Sequence, residues 1–340
     1  MKVKLLIAST DDDYAEHLSN RISEYHSDIF DVNVCSSEER IRELLSSKKF
    51  DAALLEASFV EDTDLGCIHM PLILWAEDED PADAQTEHKR IRKYQRISSI
   101  VADVLEKYAK AAADGRGAEP EKAHITAVWS PAGGVGKTSV ALAYAAKRVS
   151  EGKQVLYLNL EAFSSVPVYF NGTGKGISAV FEMLENREGS VGVLIRGIKC
   201  SDRDTGVAYL CRPDNFDDMN ILSTENVAEL IDACAGVMEE LVIDMSCLCD
   251  ERTRQIFKYA DRVFLITDPT NTAQTKLSQF AAQHNVFERI KDKAVLVANK
   301  GAVINDLLTD AIITLPLVQS ADASAVNSTL SGCSFNVGAR

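Results

Sequence analysis

Short apolar runs alternate along the whole chain with segments whose apolar residues recur every three or four positions. In the N-terminal part, amphipathic stretches such as AEHLSNRISEYHS and EERIRELLSSKK separate the runs VKLLIA, FDAALLEA and PLILWA. From residue 124 onward, helical segments separate the runs ITAVWS, QVLYLNL, ELVIDMS, RVFLIT, KAVLVAN and AIITLPL. Buried parallel strands joined by helices give this alternation, so both halves are predicted to be α/β.

One segment interrupts the pattern and predicts a domain boundary. Residues 111–123, AAADGRGAEPEKA, are small or charged and include no large apolar side chain. Such a composition is typical of a linker. The sequence therefore predicts a parallel-sheet domain over residues 1–110 and a larger, doubly wound domain over residues 124–340.

Composition limits the classes of partner. The 340 residues are 46% hydrophobic and carry a net charge of -15, which disfavours nucleic acid and anionic lipid as general partners. No apolar run approaches the ~18 residues of a spanning helix, and the N-terminus lacks the apolar core of a secretory signal. We expect a cytoplasmic protein with no specific nucleic-acid partner.

The eight cysteines are scattered and form no CxxC unit. Without paired cysteines or histidines at ligand spacing, neither a metal site built from cysteine and histidine nor a disulfide framework is expected. Cys247 and Cys249 form a lone C-x-C after a predicted strand, and chance or small core residues are the two simplest interpretations.

The strongest chemical signal is SPAGGVGKTS, residues 130–139, between a predicted strand and a predicted helix. Glycines let backbone amides close around phosphates, and the helix N-terminus adds partial positive charge. Lys137 is predicted to reach the β- and γ-phosphates, and Thr138 to offer its hydroxyl to Mg²⁺. The predicted phosphate contacts are Gly133, Gly134, Val135, Gly136, Lys137, Thr138 and Ser139.

A second metal ligand is predicted at Asp244, which ends the hydrophobic strand ELVIDMS. In open parallel sheets, ligands bind at the carboxyl ends of the strands, where this carboxylate can hold Mg²⁺.

The base of the nucleotide is predicted to be adenine. Asn299 and Lys300 begin a guanine-type motif, but Ala302 stands where its carboxylate would be, which favours ATP over GTP.

The phosphate loop departs from G-x-x-x-x-G-K-[ST] at Pro131 and resembles the deviant Walker A loop, K-G-G-x-G-K-[TS], of the MinD/ParA family. The resemblance covers roughly residues 124 to 330. It implies an ATP-binding protein that forms an ATP-dependent homodimer, with Asn299, Pro316 and Leu317 around the adenine. Ala132 replaces the family's second lysine, which implies that hydrolysis is slow or lost.

The same resemblance supplies the remaining catalytic prediction. The strand QVLYLNL leads into the family's D-x-D position, where this chain has Asn159 and Glu161. A glutamate shifts the carboxylate by one methylene, and a misplacement of ~1 Å can cost ~10²-fold in rate. Lys137, Asp244 and Glu161 are thus the predicted catalytic set, with Glu161 the weakest member.

Residues 1–110 resemble a response-regulator receiver domain that has lost its acidic residues. Ser9-Thr10 replaces the acidic pair, Glu56 the phosphorylated aspartate and Trp75 the hydroxyl residue, while Lys93 stands for the usual lysine. Neither Mg²⁺ binding nor phosphorylation is expected here. A degenerate receiver before a deviant Walker ATPase resembles the TadZ/CpaE branch, which implies placement of Tad (Flp, type IVb) pilus or secretion machinery at a cell pole.

Two other functions stay open. One is a non-hydrolysing scaffold in which ATP is a structural ligand. The other is a DNA-partition ATPase, for which Arg289, Lys291 and Lys293 are the nominated basic cluster. The C-terminal NSTLSGCSFNVGAR is a poor amphipathic anchor, so no direct membrane insertion is expected, and placement at a pole or membrane would depend on a protein partner.

Overall fold

The computed structural model describes residues 2–27, 29–60, 63–76, 89–111, 123–172, 174–187, 189–303, 309, 311–320 and 322–335. These residues belong to two compact units. The N-terminal unit comprises residues 1–117 and 188–198, and the C-terminal unit comprises residues 118–187 and 199–340. Residues 112–122 of the predicted linker lie outside the described part of the chain.

The N-terminal unit is built on a parallel sheet in the order β2-β1-β3-β4-β5, which is the flavodoxin-like order. Its strands are β1 (Val3–Ala8), β2 (Phe30–Cys35), β3 (Ala52–Glu56), β4 (Pro71–Trp75) and β5 (Lys89–Arg92). Its helices include α1 (Asp12–Tyr25), α2 (Glu38–Ser47) and α3 (Ile97–Ala111), with short 3₁₀ turns at Ala57–Phe59 and Leu65–Cys67.

Helices cover both faces of this sheet, as the strand periodicity requires. Leu5 and Ile7 of β1 pack into the cluster that includes residues of α1 and α3. Leu6 and Ala8 pack into the other cluster, which includes residues of α2. Because successive side chains of a strand point to opposite faces, a strand buried on both sides is apolar at consecutive positions, as VKLLIA is.

The C-terminal unit contains a larger sheet in the order β13-β12-β11-β6-β10-β7-β9-β8. All neighbours are parallel except β8 and β9. Its strands are β6 (His124–Trp129), β7 (Val155–Leu160), β8 (Cys200–Ser201), β9 (Ala208–Tyr209), β10 (Glu240–Met245), β11 (Arg262–Thr267), β12 (Ala294–Ala298) and β13 (Ile312–Thr314).

The helices that follow β6 in sequence are α4 (Lys137–Ser150), α5 (Val166–Tyr169), α6 (Ser178–Asn186), α7 (Val191–Ile198), α8 (Asp218–Ile221), α9 (Thr224–Ala235), α10 (Glu251–Tyr259), α11 (Asn271–Ala281), α12 (His284–Phe287) and α13 (Ala323–Ser331). A 3₁₀ turn spans Lys291–Lys293. Together the two units give the predicted α/β fold class with parallel sheets. Among the described residues, no helix is both long and apolar enough to span a bilayer.

The order of strands explains why chemistry gathers at one edge of the larger sheet. The strands β12, β11, β6, β10 and β7 are consecutive neighbours and run parallel, so their carboxyl ends lie side by side. The glycine-rich loop follows β6, and Asp244 lies near the end of β10. This edge is where open α/β sheets bind ligands.

Helix α7 lies in the predicted second domain by sequence but belongs to the N-terminal unit. It packs against α3, and Val193 contacts the apolar cluster on that side of the N-terminal sheet. Gly197 permits this approach, because a Cβ there would lie 2.0 Å from Leu105 Cδ1 and 2.9 Å from Leu105 Cβ. A methyl group at this position therefore has no room unless the helices separate.

Alanine substitutions at the two glycines of α7 are expected to have opposite effects. Gly→Ala inside a helix normally stabilises by about 1 kcal/mol through propensity. Gly197→Ala should instead lower the free energy of unfolding by about 1–3 kcal/mol, because the methyl group overpacks the α3 contact. Gly192→Ala, at a partly exposed site on the same helix, is the matched control. Denaturant unfolding of the two variants checks this, and equal stabilisation of both would contradict the close contact.

Candidate nucleotide site

The glycine-rich loop connects β6 directly to α4, as the strand–loop–helix prediction requires. Gly136 is the N-cap of α4 and has a φ of 92°, and Gly134 has a φ of 74°. Both angles lie in the left-handed region that favours glycine. The first N–H groups of α4 lack intrahelical partners, so the loop presents backbone donors next to the buried Lys137.

Residues after β12 hold this loop from the other side. Asn299 Nδ2 donates a hydrogen bond to the Val135 carbonyl at 2.8 Å, and Lys300 Nζ donates to the Gly134 carbonyl at 2.6 Å. Lys300 also forms an ion pair with Asp268 at 3.1 Å. The contact is tight, because a Cβ on Gly136 would lie 2.5 Å from Asn299 Nδ2. Asn299 therefore positions the loop, and its contact with adenine stays a prediction.

Asp244 is completely buried, and within the described part of the chain only one of its two oxygens has hydrogen-bond partners. Its Oδ2 accepts hydrogen bonds from Tyr157 Oη at 2.8 Å and Asn159 Nδ2 at 3.0 Å. Its Oδ1 accepts no hydrogen bond. Burial, and then the charge of Glu161, raise the pKa of Asp244 to about 6, although Thr138, Tyr157 and Lys137 act in the opposite direction.

This arrangement fits a bound Mg²⁺. The cation prefers oxygen ligands, commonly one or two carboxylates together with phosphate oxygens and water. The unpartnered Oδ1 of Asp244 and the Thr138 hydroxyl are the oxygens that would hold it. Among the described residues no group of three or more histidine, cysteine, aspartate or glutamate side chains forms a metal cluster, so nucleotide phosphates and water would have to complete the coordination.

Glu161 lies on the same side of the site, close to the loop lysine. Lys137 Nζ is 3.8 Å from Glu161 Oε1, and the backbone N–H of Glu161 donates to Asn159 Oδ1 at 3.2 Å. Burial raises the pKa of Glu161, and the Lys137 charge opposes that shift. The structure thus brings Lys137, Glu161, Asp244 and Thr138 together at one edge of the sheet.

Ser139, Pro316 and Leu317 are the other predicted nucleotide contacts. Ser139 Oγ lies 3.3 Å from Tyr169 Oη of the short helix α5. Pro316 and Leu317 are exposed just after β13, where the backbone N–H of Gly301 donates to the Leu315 carbonyl at 2.9 Å. They therefore adjoin the turn that carries Asn299.

Three residues of the site were not predicted from the sequence: Tyr157, Asp268 and, as a donor to the loop, Lys300. Tyr157 is a buried hydroxyl in an otherwise aliphatic stretch of β7, two positions before Asn159. Asp268 follows the buried strand β11 directly, so it ends a hydrophobic run much as Asp244 does. That strand-end signal could have identified Asp268, whereas the Lys300 contact to Gly134 has no local signal.

The N-terminal unit has its own polar cluster at the carboxyl ends of β1 and β3. Glu56 Oε2 accepts hydrogen bonds from the backbone N–H and hydroxyl of Thr10, both at 2.7 Å. Glu56 Oε1 accepts from Ser9 Oγ at 2.6 Å and from Lys93 Nζ. Burial alone would raise the pKa of Glu56, but the hydrogen bonds of Lys93, Ser9 and Thr10 outweigh it and lower the pKa to about 2.

Comparison with known proteins shows similarity at the level of structure. No protein-family model and no curated protein sequence matches the chain. A ParA-family ATPase from Chlorobium tepidum matches with a TM-score of 0.51 and 15% identity, over 62% of this chain and 97% of that protein. This match shows that the larger part of the chain has a MinD/ParA-type P-loop ATPase fold.

Two further solved structures match at lower scores. The septum site-determining protein MinD from Pyrococcus horikoshii, solved with Mg-ADP, has a TM-score of 0.46 and 14% identity over 62% of this chain and 94% of that one. A cobyrinic acid a,c-diamide synthase from Mycobacterium smegmatis, solved with an ATP analogue and magnesium, has a TM-score of 0.47 and 15% identity over 61% and 93%.

Gly136→Ala tests the tight approach of Asn299 to the loop. The new methyl group meets both a positive φ and Asn299 Nδ2, so we expect nucleotide affinity to fall by roughly 10-fold or more, equivalent to ~1.4 kcal/mol. Gly152→Ala is the matched control, because Gly152 has a φ of 86° with no atom within 4 Å of the added Cβ. Titration with a fluorescent ATP analogue measures the effect, and equal affinity for both variants would contradict it.

Glu56→Gln tests the ion pair with Lys93. Glu56 is only partly buried, so we expect a loss of about 1–3 kcal/mol of unfolding free energy near neutral pH, less than for a fully buried pair. The folded pKa lies below the unfolded one, so the contribution is present above about pH 4.5 and disappears as the pH falls through about 2.

The difference in unfolding free energy between the wild-type chain and Glu56→Gln should therefore decrease as the pH falls from about 4.5 to about 2. Glu43→Gln is the control, because Glu43 forms an exposed ion pair with Arg40 on α2, and such a pair contributes about 0–1 kcal/mol. Chemical denaturation at several pH values measures both gaps. A constant gap for Glu56→Gln would show that its carboxylate does not carry the stability.

Proposed function

We propose that this protein binds MgATP in its C-terminal unit and dimerises as a localisation or assembly factor of the MinD/ParA type. The observation that supports it is the carboxylate of Asp244, buried beside the glycine-rich loop with one oxygen unpartnered. An uncompensated buried oxygen costs stability unless a ligand uses it. Thr138 on α4 supplies the second oxygen that a phosphate-bound Mg²⁺ requires.

We also propose that hydrolysis is slow. Ala132 stands where the MinD/ParA resemblance has a lysine, and its side chain is buried, only 3% exposed, within the apolar cluster that includes Val135 and Val140. No cationic side chain is available at that position to cross to a second subunit. Glu161 lies 3.8 Å from Lys137 and is longer than the aspartate of the family pattern, which further weakens placement of water.

The N-terminal unit is proposed to be a receiver-like docking domain that acts without phosphorylation. Glu56 occupies the position of the family's phosphorylated aspartate, and four donors already bind its oxygens. With the resemblance to the TadZ/CpaE branch, this supports a role in placing Tad (Flp, type IVb) pilus or secretion machinery at a cell pole. The contact with that machinery would be made through this unit.

A non-hydrolysing scaffold is the alternative that a specific observation favours. The same Ala132 and Glu161 features are compatible with ATP held permanently as part of the fold. The two functions differ in whether ATP is hydrolysed repeatedly and in whether nucleotide changes the oligomeric state. A DNA-partition role has less support, because Lys291 of the nominated basic cluster is paired with Glu288.

Lys137→Ala is the direct test of the nucleotide site. We expect ATP affinity to fall roughly 10- to 100-fold, since a charge-assisted hydrogen bond contributes about 1.5–3 kcal/mol. Lys147→Ala is the control, because Lys147 lies on the same helix and pairs with Glu151 at 3.8 Å. Unchanged affinity in Lys137→Ala would refute the proposed site.

Light scattering with and without MgATP then separates the two functions. A monomer that becomes a dimer only with MgATP supports the localisation factor. A dimer both with MgATP and without it supports the scaffold, provided that the second sample is free of carried-over nucleotide.

Multiple-turnover phosphate release that is lost in Asp244→Ala would exclude the scaffold. In cells, a Lys137→Ala protein that still reaches the pole would contradict the nucleotide-dependent localisation.

A further inference from the structure

Two cysteines that are not among the predicted nucleotide contacts lie next to each other at the edge of the larger sheet. Cys200 begins β8, and Cys211 follows β9 by two residues. Their sulfur atoms are 3.7 Å apart. Antiparallel pairing of Cys200 with Tyr209 and of Ser201 with Ala208 brings the backbone of Cys200 close to the segment that carries Cys211. Both residues belong to the C-terminal unit.

The surroundings of the pair distinguish the two sulfurs. A hydrogen bond from the Cys200 thiol, together with one from the backbone N–H of Gly174, lowers the pKa of Cys211 to about 7, although burial opposes the shift. The pKa of Cys200 is raised, first by its hydrogen bond with Cys211 and then by burial. Since the thiolate is the nucleophilic form of cysteine, Cys211 is the reactive member.

Cys211 is reached through a small cavity. The cavity has a volume of about 260 Å³, and its lining includes Phe170, Gly172, Cys211, Arg212 and Asp214. This volume admits an oxidant of the size of a peroxide molecule. Cys211 itself is only 8% exposed, so its sulfur cannot reach the disulfide of a bulky protein.

We propose that Cys200 and Cys211 are a redox modification site, where hydrogen peroxide converts the two thiols into a reversible intramolecular disulfide. The sulfurs must approach by about 1.7 Å to reach the ~2.05 Å of an S–S bond. The strands that carry them end within a few residues, so the required shift is confined to the edge of the sheet.

The reaction balances in two steps. The Cys211 thiolate attacks one peroxide oxygen, an S–O bond forms, the O–O bond breaks, and the departing hydroxide takes up a proton to become water. The Cys200 sulfur then attacks the sulfenic sulfur of Cys211, the S–S bond forms and the S–O bond breaks. The second hydroxide leaves with the proton of the Cys200 thiol, so two thiols and one peroxide give one disulfide and two waters.

The disulfide would anchor the segment that leads from the nucleotide strand into α6. The Cys211 carbonyl accepts a hydrogen bond from Ile177 N at 3.1 Å, and Cys211 pairs with Gly176 in a β-bridge. Tyr209 stacks on Phe170 with ring centroids 4.1 Å apart, and Phe170 directly follows α5. Oxidation therefore acts on the same strand edge that supports this segment.

Peptide mapping of the full-length wild-type protein tests the site without any substitution. The reduced protein is treated with one molar equivalent of hydrogen peroxide, blocked with N-ethylmaleimide, and digested under non-reducing conditions. We expect one cross-linked peptide pair that joins Cys200 to Cys211, lighter by two hydrogens and cleaved by dithiothreitol. A cross-link mainly at other cysteines, or quantitative maleimide labelling of Cys200 and Cys211, would overturn the proposal.

Variants identify the order of the two steps. Cys200→Ser should leave a sulfenic acid on Cys211 that dimedone captures, whereas Cys211→Ala should abolish both the adduct and the cross-link. The double variant Cys247→Ser, Cys249→Ser is the matched control, because these two cysteines are close in sequence and both exposed. It should keep the Cys200–Cys211 cross-link, and its loss there would also count against the assignment.

Discussion

The burial of one carboxylate in the middle of the larger sheet is the constraint on which the nucleotide site depends. Asp244 lies on β10 between β6 and β7, and its side chain is fully buried. A charge in that position must be compensated, because desolvation otherwise favours the protonated form. Tyr157 and Asn159 on the adjacent strand donate to one oxygen and leave the other without a partner. The side-chain amide of Asn159 is important for this arrangement. A carboxylate at that position would place a second negative charge within about 3 Å of Asp244 Oδ2 and would remove a hydrogen-bond donor.

The glycine-rich loop is held by a different set of contacts, from residues that are remote in sequence. Asn299 and Lys300 donate to the carbonyls of Val135 and Gly134, so the protein engages two acceptors of the loop. The donors at the N-terminus of α4 are thereby left available for an anion. Asp268 balances the charge of Lys300 and fixes its direction. These contacts hold the loop in place, and such preorganisation lowers the entropic cost of binding a ligand.

Local patterns were sufficient for the fold class, and they also nominated residues that lie close together in the structure. A hydrophobic strand that ends in Asp244 and a glycine loop that enters a helix are both short-range signals, and the structure brings Lys137, Thr138 and Asp244 together. The Lys300 contact and the Tyr157 hydrogen bond were not predicted, because they join residues that only the sheet order makes neighbours. The same reason applies to α7. Its apolar face gives no indication that its partner is α3, some 90 residues earlier in the chain. The role of Asn299 toward the loop depends equally on that long-range arrangement.

The two units use the same feature of parallel sheets, polar side chains at the carboxyl ends of the strands, with opposite outcomes. In the N-terminal unit both oxygens of Glu56 are engaged, by Ser9, Thr10 and Lys93, and its pKa is lowered. A further ligand there would have to displace these donors at the expense of folding free energy. In the C-terminal unit the carboxylate of Asp244 keeps one oxygen unpartnered, and its pKa is raised. A cation could relieve that cost at Asp244, whereas both oxygens of Glu56 already accept hydrogen bonds.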